Sequence, residues 1–96
     1  MFNLDYITLK SISGFLGISN QTIIRKEDVL FIDGMKRNSN GWRFCNIYQL
    51  MDAYNAYWSE VPSWDKVAAF LYDEGIKNPD RANEILLKLK LNNKIS

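Results

Sequence analysis

One tight turn, Leu16-Gly17-Ile18-Ser19, limits the folds open to this chain more than any other segment. Gly17 suits the left-handed backbone position at which a helix ends, and Ser19 is a good N-cap for the next helix. Before the turn, Thr8 can cap a helix at about 9–16, whose apolar residues recur at helical spacing: Leu9, Ile12, Phe15 and Leu16. After the turn, the pattern predicts a second helix at about 20–27. The segment therefore predicts two short helices in close contact.

A β-hairpin is predicted to follow these helices. Residues 29–34 are β-branched and aromatic and stop at Asp-Gly, so they predict a strand, and residues 42–45 predict its antiparallel partner. The polar and basic segment 35–41 lies between them and ends in Asn-Gly, which is a turn signal.

Three further helices are predicted at 47–59, 64–74 and about 79–92. Pro62 ends the first, Ser63 caps the second, and Asn78-Pro79 places an N-cap before a proline at the first helical position of the third. The fold class expected is mainly α with a small β-hairpin. We expect residues 1–60 to form the functional region and residues 61–96 to form a helical extension of the same compact domain, open to self-association.

Composition excludes several classes of function. The 96 residues contain no His and one Cys, Cys45, which removes the usual zinc sites and every Ser/His or Cys/His catalytic arrangement. We therefore predict a protein that is not an enzyme and that needs no metal or cofactor. A single cysteine favours the cytoplasm, and no apolar run is long enough for a membrane span.

The net charge of +1 is unevenly distributed. Residues 1–45 carry +2, residues 46–76 carry −4 and residues 77–96 carry +3. Different faces of the protein are therefore expected to have different partners.

Two groups of residues resemble a known family. The first is Tyr6-Ile7-Thr8, Leu16-Gly17-Ile18-Ser19, Thr22-Ile23 and Arg25, and the second is Arg37-x-x-Asn40-Gly41-Trp42-Arg43-Phe44 with Leu50 after it. In this order they resemble the MerR-type and excisionase-type winged helix-turn-helix proteins over roughly residues 6–54. The resemblance implies a winged helix-turn-helix followed by two additional C-terminal helices. The long dimerising helix and effector domain of MerR-type regulators have no counterpart here, so no small-molecule effector is expected.

The resemblance also implies roles for individual residues in binding double-stranded DNA. In the recognition helix, Asn20, Gln21 and Arg25 would face the major groove, where these side chains can pair with base edges. Phosphates would be contacted by Lys26, Lys36 and Ser39. The wing would lie against the backbone or minor groove through Arg37, Asn38, Asn40 and Arg43. Glu27 and Asp28 depart from the pattern, because acids at the end of this helix would repel phosphate.

Structural roles compete with these functional ones. Arg25 and Lys26 could form a solvated helix face, and Arg43 could pair with an acid such as Asp52. Asn38 and Asn40 could be turn formers. At least one ring of Trp42 and Phe44 is expected to pack beneath the wing. Four further aromatic residues are expected partly in the core and partly on a partner surface: Tyr54, Tyr57, Trp58 and Trp64.

The function expected is architectural: an excisionase, or a small transcriptional regulator, of a phage, plasmid or mobile element. Several copies would bind DNA side by side and could recruit an integrase or RNA polymerase, with no membrane partner. Two alternatives stay open. One is a protein–protein interaction module that uses the aromatic helices at 47–74, and the other is the DNA-recognition domain of a packaging or replication-initiation protein.

Overall fold

Helices form most of residues 2–96, the part of the chain that the computed structural model describes. Residue 1, which belongs to the predicted 1–60 region, lies outside the described residues. The six helices are α1 (Leu9–Leu16), α2 (Asn20–Arg25), α3 (Glu27–Leu30), α4 (Ile47–Trp58), α5 (Trp64–Asp73) and α6 (Pro79–Leu91). A small three-stranded sheet accompanies them, so the mainly α class with a small β element is confirmed.

The turn between α1 and α2 forms as predicted. Gly17 adopts a left-handed conformation with φ of 73°, and its N–H donates to the Ser13 carbonyl at 2.8 Å. The Ser19 hydroxyl accepts a hydrogen bond from the Thr22 N–H at 3.2 Å, which caps α2. However, α2 ends at Arg25 and not at residue 27, because Lys26 leaves the helical conformation and α3 begins after it.

The predicted strand at 29–34 is wrong. Val29 and Leu30 end the short helix α3, and a turn at 32–33 follows. The two adjacent residues Leu30 and Phe31 are both buried, whereas a strand with one buried face would bury alternate residues. Two acids in the first turn of α3 also favour a helix, because they complement its dipole. The apolar run is therefore divided between the end of α3, which packs on α4, and the turn that follows it.

The hairpin lies further along the chain than predicted. Its first strand is β2 (Lys36–Arg37), inside the segment assigned to the tip, and its second is β3 (Arg43–Cys45), inside the predicted 42–45. A third strand, β1 (Ile7–Thr8), was not predicted. It pairs with the other edge of β3, so the antiparallel order is β1-β3-β2 and Ile7 lies opposite Cys45.

Each of the later helices starts after an N-cap residue; Ser63 and Asn78 were predicted as caps, and Asn46 was not. Asn46 and Gln49 form a reciprocal capping box at α4, and the Ser63 hydroxyl caps α5. Asn78 caps α6 ahead of Pro79. Each of the three helices ends one residue before its predicted end. The last residue of α4 is Trp58, and the helix is terminated by Ser59, which has a left-handed conformation with φ of 61°, and not by Pro62.

A single cluster of buried apolar residues joins the helices and the sheet. Ile12 and Leu16 of α1, Ile23 of α2 and Leu50 of α4 are almost completely buried in it. At the C-terminus, the Ser96 N–H donates to the Pro62 carbonyl and the Ser96 carbonyl accepts the Trp64 N–H, both at 3.1 Å, and Ile95 is buried. None of the helices in residues 2–96 combines the length and the apolar character that crossing a bilayer would require.

Candidate nucleic-acid interface

The outward face of α2 is created by one buried residue. Ile23 is fully buried and is the residue of α2 that enters the core, while the Ser13 hydroxyl donates to the Ile18 carbonyl and fixes the turn before the helix. With Ile23 inward and the turn held at Ser13, the remaining side chains of α2 are presented to solvent.

All four residues predicted for the recognition helix are exposed: Asn20, Gln21, Arg25 and Lys26. Gln21 and Arg25 are four residues apart, so they lie on the same side of α2. Lys26 directly follows the helix, at the backbone break before α3. The structure thus brings the predicted base-contacting residues onto one accessible surface.

Asn38 organises the tip of the basic hairpin, the name used here for residues Lys36–Cys45. Its side-chain oxygen accepts hydrogen bonds from the N–H groups of Asn40, at 2.9 Å, and Trp42, at 3.0 Å. Its side-chain nitrogen donates to the Tyr6 hydroxyl at 2.6 Å. Gly41 completes the turn with φ of 81°, a left-handed conformation that favours glycine. Asn38 therefore has the turn-forming role that was considered for it, while Ser39 and Asn40 are exposed at the tip.

Phe44 lies in β3 and Trp42 directly precedes this strand, and the two rings are in different environments. Phe44 stacks on Tyr6 with ring centroids 4.3 Å apart, so it is the ring that packs beneath the hairpin. Trp42 is 70% exposed and borders a groove of about 440 Å³ shared with Leu9 and Lys10 of α1. The hairpin thus has a packed side and an open side, and Trp42 belongs to the open one.

Glu27 joins the basic hairpin to the end of α2. Its Oε1 atom accepts a hydrogen bond from Arg43 Nε at 2.9 Å and lies 3.5 Å from Arg37 Nη2. Its Oε2 atom accepts the Met35 N–H at 3.0 Å. One carboxylate therefore holds both arginines of the hairpin and the backbone that leads into β2.

The protonation of Glu27 follows from these contacts. Desolvation raises the pKa of its carboxyl, but hydrogen bonds from Arg43 and the Met35 amide oppose it. The positive charges of Arg37 and Arg43 act in the same direction as the hydrogen bonds, and the pKa lies below its ordinary value of 4.5. Glu27 is therefore ionised at neutral pH, with its charge directed at the hairpin.

Arg43 forms the structural ion pair that was weighed for it, but with a different acid. Its partner is Glu27, whereas Asp52 pairs with Lys94 at 2.8 Å. Arg37 keeps more of its side chain in solvent, at 47% exposed. Glu27 was expected to repel phosphate. In the structure its charge is balanced by Arg37 and Arg43, so it does not lie as an unpaired acid beside the basic residues.

The structural role of Glu27 was not predicted, because this acid was expected only to repel phosphate. Its sequence signal was faint: Glu27 is one of two adjacent acids after a basic stretch, with two arginines in the hairpin that follows. The three-dimensional packing of α3 against the hairpin is what shows that Arg37 and Arg43 pair with Glu27.

Two of the four residues of the predicted aromatic partner surface, Tyr54 and Trp58, contact α1. Tyr54 contacts Phe15 with centroids 5.5 Å apart, and the Trp58 indole N–H donates to the Leu16 carbonyl at 3.0 Å. Tyr57 and Trp64 are also half-buried against the core. Trp58 keeps the largest exposed fraction of the four. Tyr54 and Trp58 therefore pack against α1, the helix that contacts α2.

No protein-family model, curated protein or solved structure matches the chain. The function proposed below is therefore drawn from the arrangement of α2, the basic hairpin and Glu27.

Proposed function

We propose that this chain is a small winged helix-turn-helix protein that binds double-stranded DNA in a sequence-specific manner. In this proposal α2 enters the major groove and the basic hairpin is the wing beside it. The observation that carries the proposal is the Glu27 cluster, because it fastens the hairpin to the end of α2. A wing fixed in this way supports a continuous binding surface, whereas a free hairpin would add basic charge without a defined position.

The exposed residues of α2 supply the proposed sequence readout. Gln21 and Asn20 can make two hydrogen bonds to adenine, and Arg25 can make two to guanine. Each such contact discriminates against a wrong base by about 1–3 kcal/mol. Because Gln21 and Arg25 share one side of the helix, they can read neighbouring base pairs in one groove.

The hairpin and Lys26 supply the proposed contacts to the DNA backbone. Lys36 and Lys26 are exposed cations, and Ser39 and Asn40 extend the polar tip. Arg37 retains an exposed guanidinium edge for a phosphate while it contacts Glu27. Arg43 is proposed as a positioning residue, because its Nε is engaged by Glu27 and its side chain is mostly buried. These contacts would set the register of α2 without reading sequence.

The proposed biological role is architectural. One winged domain buries only a modest interface on DNA, so useful affinity requires a second copy. We propose an excisionase, or a small regulator, of a phage, plasmid or mobile element that acts in the cytoplasm. Side-by-side copies would bend DNA or recruit an integrase or RNA polymerase.

Two single substitutions separate sequence readout from phosphate contact. Arg25→Ala is expected to weaken binding to a selected site about 5- to 150-fold, which corresponds to about 1–3 kcal/mol, and to affect random duplexes less. Lys36→Ala is expected to weaken both kinds of DNA about equally. The measurement is fluorescence anisotropy with a duplex selected from a random library and with a scrambled duplex. Equal losses for the two variants on both duplexes would show that the assigned roles are wrong.

A second candidate function is favoured by one observation. Trp58 of α4 and Tyr72 of α5 are both exposed, and they lie on the helices at 47–74 proposed as the surface of an interaction module. Tyr72→Ser is expected to weaken the binding of such a module to its partner and to leave duplex binding unchanged, whereas Trp58 is kept in this test because its indole N–H donates to the Leu16 carbonyl of α1. Duplex binding that is unchanged in Tyr72→Ser therefore favours the DNA-binding function.

A further inference from the structure

Two exposed apolar patches lie outside the proposed DNA interface. The first, called here the acidic patch, consists of Val29 and Ile32 with Asp28, Asp33 and Asp52. Ile32 is 94% exposed although it is a large aliphatic residue in a short turn. Ile32, Asp33 and Asp52 line one shallow depression between the end of α3 and α4. An apolar centre with an acidic rim is typical of a protein–protein contact and not of a DNA contact.

The second patch, called here the basic stripe, lies on α6. Leu87 and Leu91 are four residues apart, so they share one outward face of the helix, and Leu91 is 81% exposed. Lys88 and Lys90 are exposed in the same turns. Glu84 is also exposed, one turn before Leu87, so the surroundings of the leucines carry two lysines and one acid, and their net charge is opposite to that of the acidic patch.

An ion pair connects the two patches within one molecule. Lys94 follows Leu91 by three residues, and its Nζ donates to Asp52 Oδ1 at 2.8 Å. Asp52 in turn lines the depression that contains Ile32. The acidic patch and the basic stripe are therefore neighbours on the surface, with the Lys94–Asp52 pair between them.

We propose that this surface is the interface between two copies of the chain, related by a two-fold axis near the Lys94–Asp52 pair. The acidic patch of each copy meets the basic stripe of the other. A two-fold interface is self-complementary, so both contacts form together. Charge selects this pairing, because α6 against α6 would oppose lysines, and acidic patch against acidic patch would oppose aspartates.

The proposed dimer deepens the proposed function, because it names the surface through which the second copy associates. The need for a second copy comes from the proposed DNA binding, so the dimer proposal rests on that function. Each copy contributes only four exposed apolar side chains, which is small for a stable interface. The contact is therefore weak in free solution and becomes effective when two DNA half-sites hold the copies together. The patch begins in α3, directly after α2, so it lies at the flank of the recognition helix.

Cross-linking in the absence of DNA tests the geometry. An Ile32→Cys chain and a Leu91→Cys chain are mixed and treated with a short bismaleimide at several protein concentrations. Burial raises the pKa of the native Cys45 thiol to about 12, so the introduced cysteines react and Cys45 does not. We expect joined pairs of residues 32 and 91 in excess of the random statistical ratio. Pairs that join 32 to 32 or 91 to 91 in equal or greater yield would overturn the proposal.

Charge exchange tests the same surface by sedimentation. Ile32→Lys and Leu91→Asp are each expected to abolish the dimer, and the chain that carries both is expected to recover it. Tyr72→Lys, a control at an exposed aromatic residue of α5, is expected to leave the dimer unchanged. Monomers at every concentration, species larger than dimers, or an equal effect of Tyr72→Lys would contradict the proposal. Because no DNA is present, each of these results leaves the DNA-binding function untouched.

Discussion

Glu27→Gln is expected to lower the free energy of unfolding by about 1–3 kcal/mol. The carboxylate accepts charge-assisted hydrogen bonds from Arg43 and from the Met35 amide, and hydrogen bonds to charged groups contribute about 1.5–3 kcal/mol. Glutamine keeps the shape of the side chain but loses its charge, and its amide nitrogen cannot accept the bond that Oε2 accepts. Urea unfolding followed by circular dichroism measures the loss.

Asp28→Asn is the matched control for this substitution. Asp28 is the next residue, carries the same charge in the first turn of α3 and is exposed. Its replacement is expected to change stability by less than about 0.5 kcal/mol. Equal losses for the two variants would mean that the charge at the start of α3, and not the contact with the hairpin, is what stabilises the fold.

The contribution of Glu27 is also expected to depend on pH. Its pKa in the folded protein lies below the ordinary 4.5, so the ionised form is stabilised by folding. The resulting stabilisation is fully present above the ordinary pKa and is lost as the pH falls through the lowered one. The difference in stability between the original protein and Glu27→Gln should therefore be constant from about pH 6 to 8 and shrink below about pH 4.5. A difference that stays unchanged in acid would contradict the assignment.

Glu27→Gln is also expected to discriminate less between the selected duplex and scrambled duplexes, because the hairpin then carries more net positive charge. Without the carboxylate, Arg37 and Arg43 are free cations, so binding to scrambled duplexes should strengthen at low salt. The hairpin is no longer fixed beside α2, so binding to the selected site should strengthen less or weaken. The ratio of specific to non-specific affinity, measured by anisotropy, is expected to fall. A ratio that rises would show that Glu27 does not position the wing.

Ile23→Ala is expected to cost about 2–5 kcal/mol of stability, the range found when a large aliphatic side chain in a core is replaced by alanine. Ile23 is fully buried and holds α2 against the core. Ile24→Ala is its neighbour and control, since this side chain is exposed, and a loss below about 1 kcal/mol is expected. Thermal unfolding followed by circular dichroism measures both variants. Similar losses at the two positions would mean that α2 is oriented differently from the structure.

Local signals predicted the helices well, because caps act over a few residues. Of the predicted signals, Gly17, Ser19, Ser63 and Asn78 each satisfy backbone groups at a helix end in the structure. Thr8 precedes α1 as predicted, but its side chain makes no capping hydrogen bond. The segment at 29–34 failed for a different reason. A short apolar run fits a strand or a buried helix equally well, and the packing of Leu30 and Phe31 in the core decides the matter.

Most of the predicted DNA-contacting residues are exposed, whereas Asn38 and Arg43 are half-buried, and the contacts among these residues could not be read from the sequence. For Arg43, an ion pair with an acid such as Asp52 was the alternative to a DNA contact, but Asp52 pairs with Lys94 and Arg43 pairs with Glu27. Glu27 was expected to repel phosphate, whereas it binds two arginines. Such pairings join residues far apart in the sequence, and β1 was missed for the same reason, because its partner β3 lies more than thirty residues later. Local patterns contain no information on them.

Salt dependence of duplex binding tests the central proposal most directly. A selected duplex and a scrambled one are titrated by anisotropy between about 50 and 200 mM salt, because phosphate contacts release counterions and weaken binding steeply over this range. With Lys26, Lys36 and Arg37 as proposed phosphate contacts, the logarithm of the affinity should fall with the logarithm of the salt concentration with a slope of about −3 per copy. Lys36→Ala should reduce that slope by about 1. Failure of every duplex to bind at 50 mM salt, or a slope near zero, would contradict the proposal.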